Sequence, residues 1–490
     1  MAHYLEADLQ PWADALTAAL FADGDGGLST EHRASLWHPL DELKPLGDAV
    51  DTVLRASRLP LCQQLLRTPA EWHPAVLRSH TDAGALALSG DEAAACSDAM
   101  PAVHGVHSLA LSSGLRNTEG AEADTQRLCR VVASMSTLHK LSTRGSWDEP
   151  AFPLVVVPAL TSLQQLMCLD LGFGAVTQSE AAAVALALAG LPALTRLRLT
   201  STGGSYDAGA QDFVPGLRCL SHLEYLDLSG WSRTGADGTE LLAPTLGLLT
   251  ALTELNLRQH DCGDVGAEFL VPVLSKCVNL ASLNLGWQEL ELGGAEAIAP
   301  QLGHCSTLTR LQLGGNYLFA EGIMALAPAL GQLSRLASLD LRSNDIGGDG
   351  AVALAPPLGR LTTLMSLTLG ANELGAAGAT GLATALSSLL QLMELGLDHN
   401  DIGDAGAAAL AAPLGGLTAL TTVNLSSNGI GTAGIQELAP SLARLTALQV
   451  LFLGGSEDED DFERVDAAAR VLRAAVPACV WQACDLSRHR

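Results

Sequence analysis

The pattern Leu-x-x-Leu-x-Leu recurs along most of the chain with a nearly constant period. It restarts every 28 or 29 residues. The first leucines of the units are Leu166, Leu194, Leu223, Leu252, Leu280, Leu308, Leu336, Leu364, Leu392, Leu420 and Leu448. A sustained period of this length is typical of repeat proteins, in which each unit packs against its neighbours alone. The chain is therefore predicted to form a solenoid that presents one long surface.

The unit that starts at Leu336 shows what each repeat contains. Leu339 and Leu341 alternate with polar residues, which predicts a strand with its leucines on one face. Asn344 follows the strand, and its amide can both donate and accept hydrogen bonds, so stacked asparagines can satisfy the backbone groups at the turn. The segment after Gly350 is rich in alanine and leucine at helical spacing. Each unit is predicted to be a strand, a turn and a helix.

A proline recurs eight residues before the first leucine of most units. The positions are Pro158, Pro215, Pro244, Pro272, Pro300, Pro328, Pro356 and Pro440. A proline inside a helix removes one hydrogen bond and clashes with the preceding turn. We therefore expect short helices of roughly two turns that are kinked or restarted at the proline.

The turn segments resemble those of one family of repeat proteins. Asn-Asp-Ile-Gly at residues 344–347 and 400–403, and Asn-Gly-Ile-Gly at 428–431, are similar to the ribonuclease-inhibitor-like class of leucine-rich repeats. That class also includes the Ran GTPase-activating protein and the repeat tails of NLR immune receptors. The resemblance covers about residues 138–476 and implies an α/β leucine-rich repeat solenoid with a parallel concave sheet and short helices on the convex side.

The unit also predicts the shape of the array. Helix axes need about 10 Å between them, whereas paired strands need only about 4.8 Å. Stacked units must therefore bend into an arc or horseshoe with the sheet inside. Eleven strands at that spacing give an inner edge of roughly 50 Å, which suits a folded protein domain better than a small metabolite.

The chain is divided into four regions by the reach of the repeats. Residues 1–78 are predicted to be a helical N-terminal region or cap, and residues 79–137 an irregular segment with a possible degenerate repeat at 106–111. Residues 138–476 form the solenoid, and 477–490 a closing segment that includes a last strand. Residues 79–105 are expected to be loops.

One segment of the cap resembles part of an EF-hand calcium loop. Asp23 and Asp25 would be its ligands, with Gly26 at the turn. Phe21 and His32 occupy the two end positions, where an aspartate and a bidentate glutamate are needed. The segment is interpreted as an acidic turn, and no metal or other cofactor is expected.

Composition limits the classes of partner and the compartment. The net charge is -26, so this acidic protein lacks the clustered cations that nucleic acid or an anionic membrane would need. The ten cysteines include no Cys-x-x-Cys pair, and they are predicted to be buried and reduced. The first ten residues do not resemble a signal peptide, and no apolar stretch is long enough to span a bilayer. A cytoplasmic location is predicted, with the nucleus as the alternative.

Function is predicted to be protein binding without catalysis, since no phosphate-binding loop, nucleophile elbow or zinc-protease motif is present. The candidate binding residues are polar or aromatic residues on or just after the strands, where arginine, tyrosine and tryptophan commonly dominate interface energies. They are Phe173, Arg196, Arg198, Tyr225, Asp227, Trp231, Glu254, Arg258, Trp287, Arg310, Tyr317, Asp340 and Arg342. Trp231 has a second interpretation, as a residue that fills an irregular turn.

The predicted role is a scaffold or adaptor that holds a folded protein partner on the concave face. Two alternatives stay open. The first is a GTPase-activating protein of the Ran-regulator type, acting on a small GTPase, which the family resemblance implies. The second is a substrate-recognition or assembly subunit of a larger complex.

Overall fold

The computed structural model describes residues 85–89, 107–112, 121–144, 152–174, 176–201, 208–454 and 480–481. Within them, fifteen strands form one sheet in which each strand pairs in parallel with the next one along the chain. The strands β1 to β15 are Ala85–Ser89, Ser108–Ser112, Lys140–Arg144, Cys168–Phe173, Arg196–Ser201, Tyr225–Asp227, Glu254–Asn256, Ser282–Asn284, Arg310–Gln312, Ser338–Asp340, Ser366–Thr368, Glu394–Gly396, Thr422–Asn424, Val450–Phe452 and Val480–Trp481. This is the predicted leucine-rich repeat arrangement.

The repeated leucines set the register of the sheet. In β10 the central Leu339 is 1% exposed and pairs with Leu311 on one side and Leu367 on the other. The residues before and after it are half-buried on the opposite face. A shift of one residue would place the leucines in water, so the period of two along each strand fixes which residues face the core.

Helices cover the other face of the sheet, one after most strands. The helices α1 to α12 are Ala121–Ser134, Val157–Leu160, Gln178–Leu188, Val214–Leu217, Gly235–Leu246, Gly263–Lys276, Glu291–Leu302, Phe319–Leu330, Gly347–Leu358, Gly375–Leu386, Gly403–Leu414 and Thr432–Leu442. Their leucines, such as Leu354 and Leu358 in α9, are fully buried against the strands. A single leucine-rich core therefore runs between sheet and helices.

The prediction of two-turn helices is wrong for most repeats. The helices from α5 to α11 have 12 or 14 residues, although proline lies inside six of them, α10 being the exception. Pro244, Pro272 and Pro300 are exposed and lie near the helix ends. Water can satisfy the carbonyl that each proline leaves without a partner, so the helix continues through it.

Proline does restart the chain at two places, as predicted. Pro158 and Pro215 occupy the first turns of α2 and α4, which have only four residues each. A 3-10 turn precedes each of them, at Phe152–Val156 and Ala210–Phe213. These repeats hold shorter convex segments than those that follow.

The sheet begins upstream of the regular repeats. Ala85–Ser89 pairs with Ser108–Ser112, so the expectation that all of residues 79–105 are loops is wrong for β1. The degenerate repeat expected at 106–111 does contain a strand. At the other end, Val480–Trp481 pairs with β14 within the predicted closing strand. The cap at 1–78, with Asp23 and Asp25, lies outside the described residues.

Buried asparagines connect the turns that follow the strands. The Asn344 side chain donates to the carbonyls of Leu313 at 3.0 Å and Leu341 at 2.9 Å. The backbone N–H of Asn344 donates to the Asn372 side chain at 2.9 Å. Asn344 is completely buried. The same bonds to a leucine of its own repeat and of the preceding repeat are made by Asn316, Asn372, Asn400 and Asn428. This predicted ladder satisfies backbone carbonyls that would otherwise be buried without partners.

Three earlier repeats place a different donor at the ladder position. Each side chain donates an N–H to the carbonyl of the third leucine in the preceding repeat, as the asparagines do. The pairs are Gln288 with Leu257, His260 with Leu228 at 2.5 Å, and Trp231 with Leu199 at 2.7 Å. The chemistry of the position is therefore a buried N–H donor, which residues other than asparagine can supply.

Phe173 and Trp231 lie in the core, so their prediction as partner-binding residues is wrong. Both are fully buried, and they pack with Phe213. The Trp231 ring centroid lies 5.9 Å from that of Phe173 and 5.1 Å from that of Phe213. Phe173 is the last residue of β4, Trp231 comes from the turn after β6, and Phe213 comes from the short convex segment of the repeat between them. The second interpretation of Trp231, as a residue that fills an irregular turn, is the correct one.

His260 should make stability depend on pH. Burial is the main cause that lowers its pKa from 6.5 to about 4, against smaller opposing effects of the Leu228 carbonyl and Asp227. The folded state thus resists protonation between these values, and stability is lost as pH falls from 6.5 to about 4. At pH 5 the loss should be about 2 kcal/mol. Urea unfolding at pH 7.5 and pH 5 should show this loss reduced in His260→Asn, and equal pH dependence in both proteins would contradict the assignment.

Candidate protein-binding surface

The face of the sheet without helices is formed by the residues on either side of each central leucine. We call this the concave face, after the arc predicted from strand and helix spacing. Because strands in a parallel sheet lie about 4.8 Å apart, side chains at equivalent positions form rows across the repeats. Thirteen residues were candidates for binding; the structure places most on this face or at its edge.

Arg196, Arg198, Tyr225 and Glu254 form one cluster on β5 to β7. The Arg196 guanidinium lies 4.1 Å from the centroid of the Tyr225 ring, and its Nη1 lies 3.7 Å from the Glu254 carboxylate. Its side chain is 47% exposed. The cluster is open to solvent yet held in place by contacts between neighbouring repeats, so it can bind a partner without first becoming ordered. We call it the arginine–tyrosine cluster.

Asp227 supports this cluster from beneath. It is 3% exposed, so it is a positioning residue with little surface of its own. Its carboxylate lies 3.3 Å from Arg198 Nε, accepts a hydrogen bond from the Tyr225 hydroxyl at 3.4 Å, and accepts another from the Ser229 N–H at 2.9 Å. Burial, followed by the charge of Asp227, raises the pKa of Tyr225 to about 12. The phenol therefore remains a neutral donor.

The other predicted residues extend the surface towards the C-terminal repeats. The Arg258 guanidinium lies 5.9 Å from the centroid of the Trp287 ring. Arg310 is exposed on β9. Arg342 pairs with Asp340, from Nε to Oδ2, at 2.8 Å, and this bond is the main cause that raises the pKa of Arg342. Trp287 and Tyr317 lie in the turns after β8 and β9, at the edge of the concave face.

A pocket on the concave face was not among the predicted sites. It has a volume of about 310 Å³ and spans β10 to β13. Its lining includes Arg342, the acidic residues Glu394 and Asp398, and Gly370 and Gly396. The signal in the sequence is Gly396, at a strand position where the neighbouring repeats carry a longer side chain, such as Thr368 and Asn424.

The Asp398 carboxylate extends over the backbone of Gly370. A Cβ atom built on Gly370 would lie 2.8 Å from both carboxylate oxygens. Oδ1 of Asp398 accepts a hydrogen bond from the Asn424 amide at 3.0 Å. The pocket therefore combines a small backbone floor with fixed carboxylates, and it can accept a donor group of a partner.

Among the described residues, no group of three or more His, Cys, Asp or Glu side chains is arranged to hold a metal ion. No helix in the described part of the chain has the length and apolar character needed to cross a membrane.

Comparison with known proteins supports the repeat assignment. The family model described as Leucine Rich repeat matches residues 304–327, 336–355, 392–411 and 416–439. No curated protein matches the sequence. Among solved structures, an internalin from Listeria monocytogenes is 17% identical, with a TM-score of 0.31 over 67% of this chain and 83% of that one. The family matches and the repeated strand, turn and helix along one parallel sheet show that the described chain is a leucine-rich repeat solenoid.

Proposed function

We propose that this chain is a non-catalytic scaffold or adaptor that binds a folded protein on its concave face. The observation that carries the proposal is the arginine–tyrosine cluster. Arg196 is 47% exposed, lies across the Tyr225 ring and pairs with Glu254, while the neighbouring Arg198 pairs with Asp227. Arginine and tyrosine, held rigid at a surface, are the residues that most often carry interface energy.

The pocket between Arg342 and Asn424 is proposed as a second contact point for the same partner. It lies on the same face, several strands from the cluster, and its lining includes Glu394 and Asp398. At about 4.8 Å per strand, the distance from β5 to β12 is roughly 34 Å along the sheet. A folded domain of about 100 residues, with a radius of gyration near 13 Å, is wide enough to reach most of that length.

We also propose that the repeats belong to the ribonuclease-inhibitor-like class and that the protein works in the cytoplasm or nucleus. The 12-residue helix in most repeats supports the first point. The described cysteines are free, and burial raises the pKa of Cys262 to about 12 and is the main cause that raises the pKa of Cys277 to about 11. Protonated, buried thiols suit a reducing compartment and support the second point.

Affinity purification from the native organism tests the proposed function. The variant combines Arg196→Ser with Tyr225→Thr. Other repeats carry serine or threonine at the equivalent position, as Ser338 and Thr422 show. The fold should therefore be unchanged, while specific partners should bind at least about 100-fold more weakly, since two interface anchors are removed. Mass spectrometry of the captured proteins would also show whether a small GTPase is among them.

The control variant is Leu241→Ser, on the convex side, where the leucine is 61% exposed. It removes apolar surface without touching the concave face, and it should capture the same partners as the unchanged protein. If partners were still captured by the Arg196→Ser and Tyr225→Thr variant but were lost with Leu241→Ser, the binding surface would be on the helices and the proposal would be wrong.

A further inference from the structure

The turns after the strands form a continuous edge beside the concave face. We define the turn edge as residues 259–263, 287–291, 315–319, 343–347, 371–375 and 399–403. Backbone hydrogen bonds join each turn to the next, for example from the Glu291 N–H to the Asn316 carbonyl at 3.0 Å and from the Phe319 N–H to the Asn344 carbonyl at 2.9 Å. Neighbouring turns are therefore separated by about one strand spacing of 4.8 Å.

Three aromatic side chains are exposed on two neighbouring turns of this edge. Trp287 is 42% exposed, and Tyr317 and Phe319 are each 44% exposed. The Trp287 ring lies against Gly315, since a Cβ atom at that glycine would come within 2.6 Å of the ring. A larger residue at position 315 would displace the ring. We call these three side chains the aromatic patch.

Phe319 is held in a left-handed backbone conformation that most repeats give to glycine. The positions with the same hydrogen bond to the next turn include Gly263, Gly347, Gly375 and Gly403, with φ between 58° and 65°, and also Glu291, with φ of 51°. Phe319 has φ of 52°. A side chain in this left-handed region is unfavourable, because its Cβ atom crowds the following carbonyl oxygen. Packing within the repeat does not require a phenylalanine there, because four other repeats dispense with a side chain.

Acidic residues lie on the turns to either side of the patch. The turn edge contains Asp261, Glu289, Glu291, Asp345, Glu373 and Asp401, and its six segments contain no lysine or arginine. Burial is the main cause that raises the pKa of Asp261, and the neighbouring charge of Glu289 raises it further. Carboxylates on adjacent turns therefore repel each other, and a bound cation would relieve that repulsion.

The aromatic rings can also receive a cation. The Arg258 guanidinium approaches the Trp287 ring at 5.9 Å, within the range of a cation–π interaction. Arg258 is the residue immediately before the turn edge and approaches only this one ring among the described contacts. Exposed tyrosine and phenylalanine faces beside carboxylates match arginine or lysine side chains, which carry both an apolar stem and a charged end.

We propose that the aromatic patch and the flanking carboxylates bind a lysine- and arginine-rich segment of a partner protein. Its cationic side chains stack on Trp287, Tyr317 and Phe319 and pair with the acidic residues of neighbouring turns. This surface is separate from the arginine–tyrosine cluster, so it goes beyond the proposed function of the concave face. Either surface can bind when the other does not.

The test uses the full chain and a fluorescein-labelled peptide of alternating arginine and glycine, followed by fluorescence anisotropy at near-physiological salt. The variant combines Trp287→Ser, Tyr317→Asp and Phe319→Gly, which are the residues at the equivalent positions of the repeat at 336–347. This variant is more acidic than the unchanged protein. If binding were only attraction between opposite charges, the variant would bind the peptide as tightly or more tightly.

The proposal predicts at least tenfold weaker binding by the triple variant. Phe319→Gly alone should also weaken binding. The Tm of this variant should equal that of the unchanged protein, because the relief of backbone strain offsets the loss of the ring contacts. A control with Leu241→Ser and Val278→Ser removes exposed apolar side chains from helix α5 and from the turn after α6, and it should bind normally. Arg196→Ser with Tyr225→Thr should also leave peptide binding unchanged, which separates this surface from the concave face. Undetectable binding by the unchanged protein, or equal or tighter binding by the triple variant, would overturn the proposal.

Discussion

Asn372→Ala should lower the free energy of unfolding by about 4 kcal/mol. The Asn372 side chain is completely buried, donates to the carbonyls of Leu341 and Leu369 at 2.9 Å, and accepts from the Asn344 N–H at 2.9 Å. Alanine would leave these three backbone groups without that partner. Each buried polar group that loses its hydrogen bond costs about 1–3 kcal/mol.

Urea unfolding, followed by circular dichroism, measures this loss, and Asn279→Ala is the matched control. Asn279 is exposed and makes one hydrogen bond, to the Thr250 carbonyl at 3.3 Å. Its replacement should change stability by less than about 0.5 kcal/mol. If Asn372→Ala were no more destabilising than the control, the carbonyls of the ladder would have to find other partners, and the ladder would not be essential to the fold.

Trp231→Ala should have a comparable effect, about 4 kcal/mol, for a different reason. The indole fills the space between Phe173 and Phe213, and its Nε1–H donates to the Leu199 carbonyl at 2.7 Å. Alanine would create a cavity and also leave that carbonyl unsatisfied. Trp231→Phe keeps most of the side-chain volume but removes the N–H donor, so it should lower the free energy of unfolding by about half as much.

The exposed Trp287 provides the control for this second prediction. Trp287→Ala removes the same side chain from a position that is 42% exposed, so its effect on unfolding by urea should be clearly smaller. Equal losses at the two tryptophans would contradict the assignment of Trp231 to the core. They would also revive its interpretation as a surface residue.

The period of the sequence predicted the features that depend on one repeat alone. Leu339 and Leu341 are buried because alternation along a strand decides which face each residue takes. The same alternation correctly places Arg196 and Arg342 on the opposite face. The asparagine ladder was also predictable, because each member recurs at a fixed distance after the first leucine of its unit.

Features that depend on two or more repeats were missed. Trp231 lies eight residues after Leu223, as Asn344 does after Leu336, so the ladder position already indicated burial. Its aromatic character suggested an interface, but the space beside it is set by the short helix α4 and by Phe213, which the period does not describe. The pocket at Gly370 and Gly396 was missed because it results from absent side chains in two adjacent repeats.

Photo-crosslinking in the native organism tests most directly whether the partner lies on the concave face. One variant carries Gln312→benzoylphenylalanine, on β9 between the arginine–tyrosine cluster and the pocket. The other carries Leu241→benzoylphenylalanine, on the convex side, where the leucine is 61% exposed. The account predicts a specific adduct with a protein partner from position 312 and none from position 241. An adduct from position 241 alone would contradict it.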